Sequence, residues 1–194
     1  MDGSNEANRK AYDRIATSYA GPEPGEDDPD WRRRCRTLFA GLLRGKDVLE
    51  VGCGPGVDAD ALSKLGLNVT ATDFCEEFVS ITKTRYPRLH VHRMDMTDPT
   101  DLVNGSFDGI YGHSCFLHIA RDLAPQTLTN LNSLLKVGGV LFLSLIESSK
   151  VRQYTVPNWG GVDDNPAEFI CYSHDEMKQL LTGAGFTGIA FHRL

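Results

Sequence analysis

Residues Val48 to Gly56, Val-Leu-Glu-Val-Gly-Cys-Gly-Pro-Gly, carry an apolar run into closely spaced glycines, the pattern of a turn that meets a nucleotide-type ligand. Glycines there let the chain reverse sharply and approach the ligand, and the helix that follows offers free N–H groups. A dinucleotide fingerprint sets its third glycine three residues after the second, whereas here Gly52, Gly54 and Gly56 alternate with Cys53 and Pro55. Glu50, just before the turn, would repel a pyrophosphate and attract a cation. Two further acids follow in register. Asp73 lies 21 residues after Gly52, where an acid meets ribose hydroxyls, and Asp95 comes later. Phe74 and Met96 offer apolar faces to an adenine, whose exocyclic amine Asp95 could accept from.

A nucleoside that carries positive charge fits this set, and S-adenosylmethionine, with its ammonium and sulfonium, is one. Methyl transfer from a sulfonium is an in-line displacement, so a protein supplies alignment, desolvation and, where needed, a base. His113 and His118, near the ligand edge of the fourth strand, are the candidate bases, since a neutral imidazole titrates near working pH. For His118, set among Phe116, Leu117 and Ile119, local packing is the competing reading. Residues 148–172 lack clear periodicity and read as a loop over the acceptor, with Tyr154, Trp159 and Tyr172 as substrate contacts. An aromatic lid suits an apolar acceptor; the alternative is that Trp159 only anchors a surface loop. No metal site is expected: Asp163-Asp164 reads as a solvated turn. The five cysteines, odd in number and without a Cys-x-x-Cys pair, read as reduced buried thiols.

These residues need a scaffold that brings strand ends together. From Lys46 the chain alternates strand 46–51, helix 56–65, strand 67–72, helix 76–85, strand 89–93, a short helix or loop 98–104 and strand 107–112. It continues with helix 121–136, strand 139–146, helix 174–184 and strand 186–192. That alternation predicts an α/β fold, a doubly wound, mostly parallel Rossmann-like sheet with helices on both faces and ligands beyond the strands' C-terminal ends. Ahead of the sheet, residues 6–20 and 30–44 read as helices, joined by an acidic Pro/Gly-rich linker that has nothing to bury.

The 194 residues suit one domain, with 1–45 forming part of a pocket lid and 46–194 the core sheet. A net charge of −6 argues against nucleic acid and for a small-molecule partner. Arg32, Arg33, Arg34 and Arg36 could grip a carboxylate, but read more simply as a solvated helix face. The longest apolar stretch is too short to span a bilayer and the polar N-terminus lacks a secretory pattern, so no membrane association and a cytoplasmic location are expected.

Taken in order, these motifs resemble the class I S-adenosylmethionine-dependent methyltransferases that act on small molecules. The resemblance runs from about Tyr12 to Phe186. It rests on Tyr12-Asp13-x-x-Ala16-x-x-Tyr19, Val48–Gly56, Ala71-Thr72-Asp73, Met94-Asp95-Met96, Phe107-Asp108-Gly109-Ile110-Tyr111 and Leu135-Lys136-Val137-Gly138-Gly139, with Phe169-Ile170-Cys171-Tyr172-Ser173 and Gly183-Ala184-Gly185-Phe186 later. It implies that Glu50 and the turn Gly52, Cys53 and Gly54 meet the methionine portion, Asp73 the ribose, and Phe74, Asp95 and Met96 the adenine. Tyr12 and Tyr19 would help close the pocket, and Gly112-His113-Ser114 would pass beside the sulfonium. The implied activity is transfer of a methyl group to an O or N atom, leaving S-adenosylhomocysteine. The family's Asp/Asn-Pro-Pro-Tyr run for nucleic-acid bases is absent. Two alternatives stay open: a cofactor-binding enzyme for a non-methylating isomerisation or cyclisation, and a non-catalytic partner subunit. The chain ends after the sixth strand, so the family's usual last strand is lacking. The exposed edge of the fifth strand is then expected to pair with strand 186–192 or with a second subunit in a homodimer.

Overall fold

The computed structural model describes residues 3–21 and 29–193; the linker expected at 21–30 lies almost wholly outside them. The elements are α1 (Gly3–Ala20), α2 (Asp30–Leu42), β1 (Asp47–Val51), α3 (Val57–Lys64), β2 (Asn68–Asp73), α4 (Glu76–Arg85), β3 (His90–Arg93) and β4 (Phe107–His113). There follow a 3-10 turn (Phe116–His118), α5 (Ala124–Leu134), β5 (Leu135–Ser144), β6 (Ile146–Glu147), β7 (Gln153–Val156), a second 3-10 turn (Trp159–Gly161), β8 (Ala167–Tyr172) and α6 (His174–Gly183).

Five parallel strands in the order β3-β2-β1-β4-β5 form the main sheet. The order reverses at β1, so the ends of β1 and β4 diverge there and open a crevice. β1 is apolar on both faces because helices cover both. Val48 packs with Phe39, Leu62 and Tyr111 on one side, while Leu49 and Val51 pack with Ile110, Leu131 and Leu134 on the other. Leu65-Gly66 stops α3 as its composition predicts: Gly66 takes φ 88° and its N–H reaches Ser63 O.

Three expectations are overturned. Residues 186–192 form no strand, so among the described residues the main sheet ends at β5, which pairs with β4. Gly185 and Gly188 both take positive φ there, and Phe186 turns into the α5–α6 core instead of running along a ladder. Residues 148–172 are not a structureless loop but hold most of a second sheet, β6-β8-β7, in which β8 pairs in parallel with β6 and antiparallel with β7. The pattern that hides β8 is its burial on both faces, which leaves a short apolar run without alternation. Finally, the helix expected at 121–136 spans only Ala124–Leu134, because Leu135 already pairs with Phe107 at the start of β5, whose register then shifts between Phe107 and Gly109 to accommodate Val137-Gly138-Gly139 as a bulge. Among the described residues, no helix is long and apolar enough to cross a membrane.

Candidate functional site

The glycine turn after β1 is held by its neighbours' backbones. Cys53 N donates to Thr72 O at 2.9 Å, Gly56 N to Cys53 O at 3.0 Å, and Thr82 Oγ1 to Gly54 O at 2.8 Å. Gly52, Gly54 and Gly56 have φ of 66°, 52° and 84°, a region that L side chains rarely adopt. A Cβ on Gly52 would collide with Cys115, whereas one on Gly54 would meet nothing within 4 Å, because Gly54 faces open space. That space is a cleft of about 650 Å³ lined by the turn, the ends of β2 and β4, and the inner face of α1.

Two acids shape its field. Asp73 accepts from Gly54 N and Cys75 N, both at 2.8 Å, yet burial outweighs those donors and raises its carboxyl to about 6. Glu50 is 2% exposed, its Oε2 has no hydrogen-bond partner, and burial with Asp58 nearby pushes its carboxyl well up. A buried, partnerless carboxylate oxygen is expensive unless something cationic or donating meets it. The third acid, Asp95, also lines the cleft and accepts from Thr97 N at 2.9 Å and Thr97 Oγ1 at 2.7 Å.

Most of the residues expected to bind the cofactor come together here: Tyr12, Tyr19, Gly52, Cys53, Gly54, Asp73, Phe74, Asp95, Met96 and His113 line one cleft. Glu50 does not reach its wall but sits behind it. Phe74 carries guanidiniums near its ring, those of Arg9 and Arg93, at 5.9 and 5.8 Å from the centroid.

The two histidines differ. His113 ends β4, stacks on Trp31 at 5.4 Å, and has a buried Nε2 with no partner; burial lowers its pKa. His118 has both ring nitrogens engaged, Nε2 with Tyr12 OH at 2.9 Å and Nδ1 with Glu168 O at 2.8 Å, and burial lowers it to about 4. It lines the cleft beside Tyr12 and also packs edge-on to Phe169.

The three substrate candidates lie elsewhere. Trp159 packs on Tyr12 and Phe169, Tyr154 stacks on Phe169 at 5.1 Å, and Tyr172 is buried beneath the Arg121 guanidinium, 4.7 Å from its ring. None lines the main cleft: Tyr172 is buried in the α5–α6 core, Trp159 packs at the edge of the β8 cluster, and Tyr154 stays 40% exposed on β7. Tyr172 instead lines a second, shallower cleft between α5 and α6.

Sequence reasoning also missed several groups. The arginine cluster is not simply a solvated face. Arg36 is 3% exposed and donates to Asp58 Oδ1 at 2.6 Å, and Arg32 reaches the cleft wall while holding Asp58 at 2.8 to 3.2 Å. Burial alone would raise the Asp58 carboxyl, but the two guanidiniums prevail and hold it low. Asn8 and Arg9 line the cleft from α1; the helical spacing of Asn8, Tyr12 and Tyr19 was the available signal. Cys75 and Cys115 line it too, and burial pushes both thiols up, Cys75 to about 12. Ser114, the cleft residue after β4, takes φ 52°, an uncommon value for a side chain without special tolerance.

A parallel sheet with a glycine turn and a cleft at its switch point defines a doubly wound α/β protein. More particularly, the chain belongs to the methyltransferase-domain family, whose model matches residues 26–190. A probable S-adenosylmethionine-dependent methyltransferase of Mycobacterium tuberculosis is 28% identical over 163 residues, covering 82% of this chain and 57% of that protein. A ubiquinone biosynthesis O-methyltransferase of Coxiella burnetii is 29% identical over 164 residues, covering 78% of this chain and 70% of that protein. Among solved structures, a DhpI complex with S-adenosylhomocysteine superposes with a TM-score of 0.75 at 22% identity, covering 94% of this chain and 88% of that one. The chain spans under three fifths of the length of the mycobacterial relative.

Proposed function

We propose that this chain binds S-adenosylmethionine and transfers its methyl group to an O or N atom of a small molecule. The observation that carries the reading is Glu50 Oε2, buried and without a partner behind a cleft also lined by the Asp73 carboxylate. Burial disfavours the charged forms of both acids, and a cationic nucleoside would offset that cost where an anionic one would add to it. The names of the relatives from Mycobacterium and Coxiella support the same cofactor and an oxygen acceptor. The cofactor, when bound, supplies an electrophilic methyl on a sulfonium.

In this reading the chain's residues hold and orient. Gly54 presents open backbone to the methionine portion, with Arg32 at the cleft wall for its carboxylate and Glu50 behind for its ammonium. Asp73 accepts from the ribose hydroxyls, and Asp95, Met96 and Phe74 surround the adenine. Tyr19 and Tyr12 close the far side. His113, stacked on Trp31, stands at the end of β4 as a positioning group. We read residues 1–194 as one unit working in a reducing compartment such as the cytoplasm, which its five free cysteines suit. The open edge of β5 supports pairing with a second copy, and light scattering that finds only monomer would remove that reading. For the cofactor, calorimetry is expected to detect S-adenosylhomocysteine binding and none of NAD; the reverse result would overturn the assignment.

A further inference from the structure

The second cleft, of about 470 Å³, opens between α5 and α6 and shares no lining residue with the first. Pro125, Leu180 and Ala184 give it apolar walls, while Arg121, Arg152 and Glu176 give it charge. Glu176 caps α6: its Oε2 accepts from Ser173 N at 3.2 Å, and its Oε1 meets Arg121 Nη1 at 3.0 Å and Arg152 Nη2 at 3.4 Å. The backbone donor and the two guanidiniums hold its carboxyl low. It therefore stays charged, and the lining carries one positive charge in excess.

Two polar atoms beside this charge have no partner. Arg121 Nε is buried with nothing to donate to, although Nη1 reaches Glu176 and Nη2 reaches the Cys171 and Arg152 carbonyls. Tyr172, 2% exposed, lies under the same guanidinium, whose carbon is 4.7 Å from the ring centroid, and its hydroxyl is equally unmet. Burial pushes that phenol up to about 12, so it keeps its proton and can donate. Two unmet donors on adjoining residues of one cleft are costly unless something from outside meets them.

Whatever meets them must accept twice and bring negative charge. The guanidiniums repel a cation, and a neutral apolar molecule leaves both donors unmet. A carboxylate has two accepting oxygens, its single charge matches the excess, and its hydrogen bonds to a guanidinium are of the strong, charge-assisted kind.

We propose that the α5–α6 cleft is a second ligand site, for a small carboxylate with an apolar body. The oxygens take the Arg121 Nε–H and the Tyr172 O–H, and the body lies on Pro125, Leu180 and Ala184. Arg121 gives access by turning outward from its long bond to Arg152 O, 3.3 Å, and the Arg152 side chain, 71% exposed, closes over the ligand. The site is independent of the cofactor reading above.

Arginine-selective 1H–15N spectra of the full chain, titrated with benzoate, test it. The Arg121 Nε–H signal is expected to shift saturably, and benzamide, the same ring without the charge, to bind roughly tenfold more weakly. Tyr172→Phe is expected to weaken benzoate roughly tenfold, about the value of one hydrogen bond, and Arg152→Gln roughly threefold, as for an exposed ion pair. No saturable shift, or equal affinity for benzamide, overturns the site. Inorganic phosphate binding as tightly as benzoate overturns the carboxylate class. These three ligands are compared on the unaltered chain, so the outcome stands even where Tyr172→Phe fails to fold.

Discussion

At the turn end of the cleft, Gly52, Gly54, Asp73 and Asp95 each sit within a few residues of a strand's C-terminus, and backbone hydrogen bonds shape the turn. At the aromatic end, Tyr12, His118 and Glu168 come from α1, the 3-10 turn after β4, and β8, and only side-chain bonds across large sequence separations join them. The first region is built by local rules that the parallel sheet merely assembles. The second exists only once α1 docks on a sheet formed much later in the chain. A site can thus have one end that tolerates sequence drift around a fixed turn and another that depends on a few long-range contacts.

Substitutions can break this contrast. The largest effect is expected at Asp58, which secures α2 beside the turn: Asp58→Asn strips the carboxylate from two guanidiniums, one of them buried, and should cost about 3–5 kcal/mol of stability in urea unfolding. Asn8→Ala probes the long-range end. It removes Asn8 Oδ1 from Glu168 N and one of the donors to Glu168 O, where His118 Nδ1 remains, and an expected loss of about 1–3 kcal/mol should come with a perturbed His118 nitrogen spectrum. Were Asn8→Ala to cost nothing, α1 would not be what holds that end.

Asp73→Ala tests the local end through its ligand. Loss of charge-assisted hydrogen bonds should weaken S-adenosylhomocysteine binding by about 1–3 kcal/mol in calorimetry, and unchanged affinity would reduce Asp73 to a cap for Gly54 and Cys75. The smallest effect is a proton count. Because burial raises Asp73 to about 6, its carboxyl is partly protonated near pH 6 in the free protein. Hydroxyls donating to it favour the carboxylate, so ligand binding at pH 6 should release a fraction of a proton, and the release should fade toward pH 8. Calorimetry in two buffers of different ionisation enthalpy reads the sign, and proton uptake would contradict it.

Much of the turn end was legible from residues 48–96. Alternating glycines and the carboxylates at strand ends are short-range patterns, and a parallel sheet sends every strand end to the same edge. Glu50 was legible as a carboxylate beside the turn, though not its retreat behind the wall. Less could be read of the other end. Tyr154, Trp159 and Tyr172 were expected over the acceptor because aromatic residues without periodicity resemble a lid, but β7 and β8 pair, which buries Tyr172 and sets Trp159 and Tyr154 against Phe169 instead of the cleft. Arg32 and Arg36 looked like solvent-facing charge, since nothing in α2 announces that Asp58, in the first turn of another helix, will meet them.

By itself the sequence determined a parallel α/β sheet, a glycine turn able to take positive φ, and acids at the first three strand ends, because these follow from local backbone chemistry and the period of apolar residues. Only the tertiary structure decided that the sheet stops at β5, that β8 exists, and that the Tyr12 hydroxyl meets His118 Nε2. Those outcomes depend on which distant groups satisfy one another's hydrogen bonds and burial, and that information lies between segments, not within any of them.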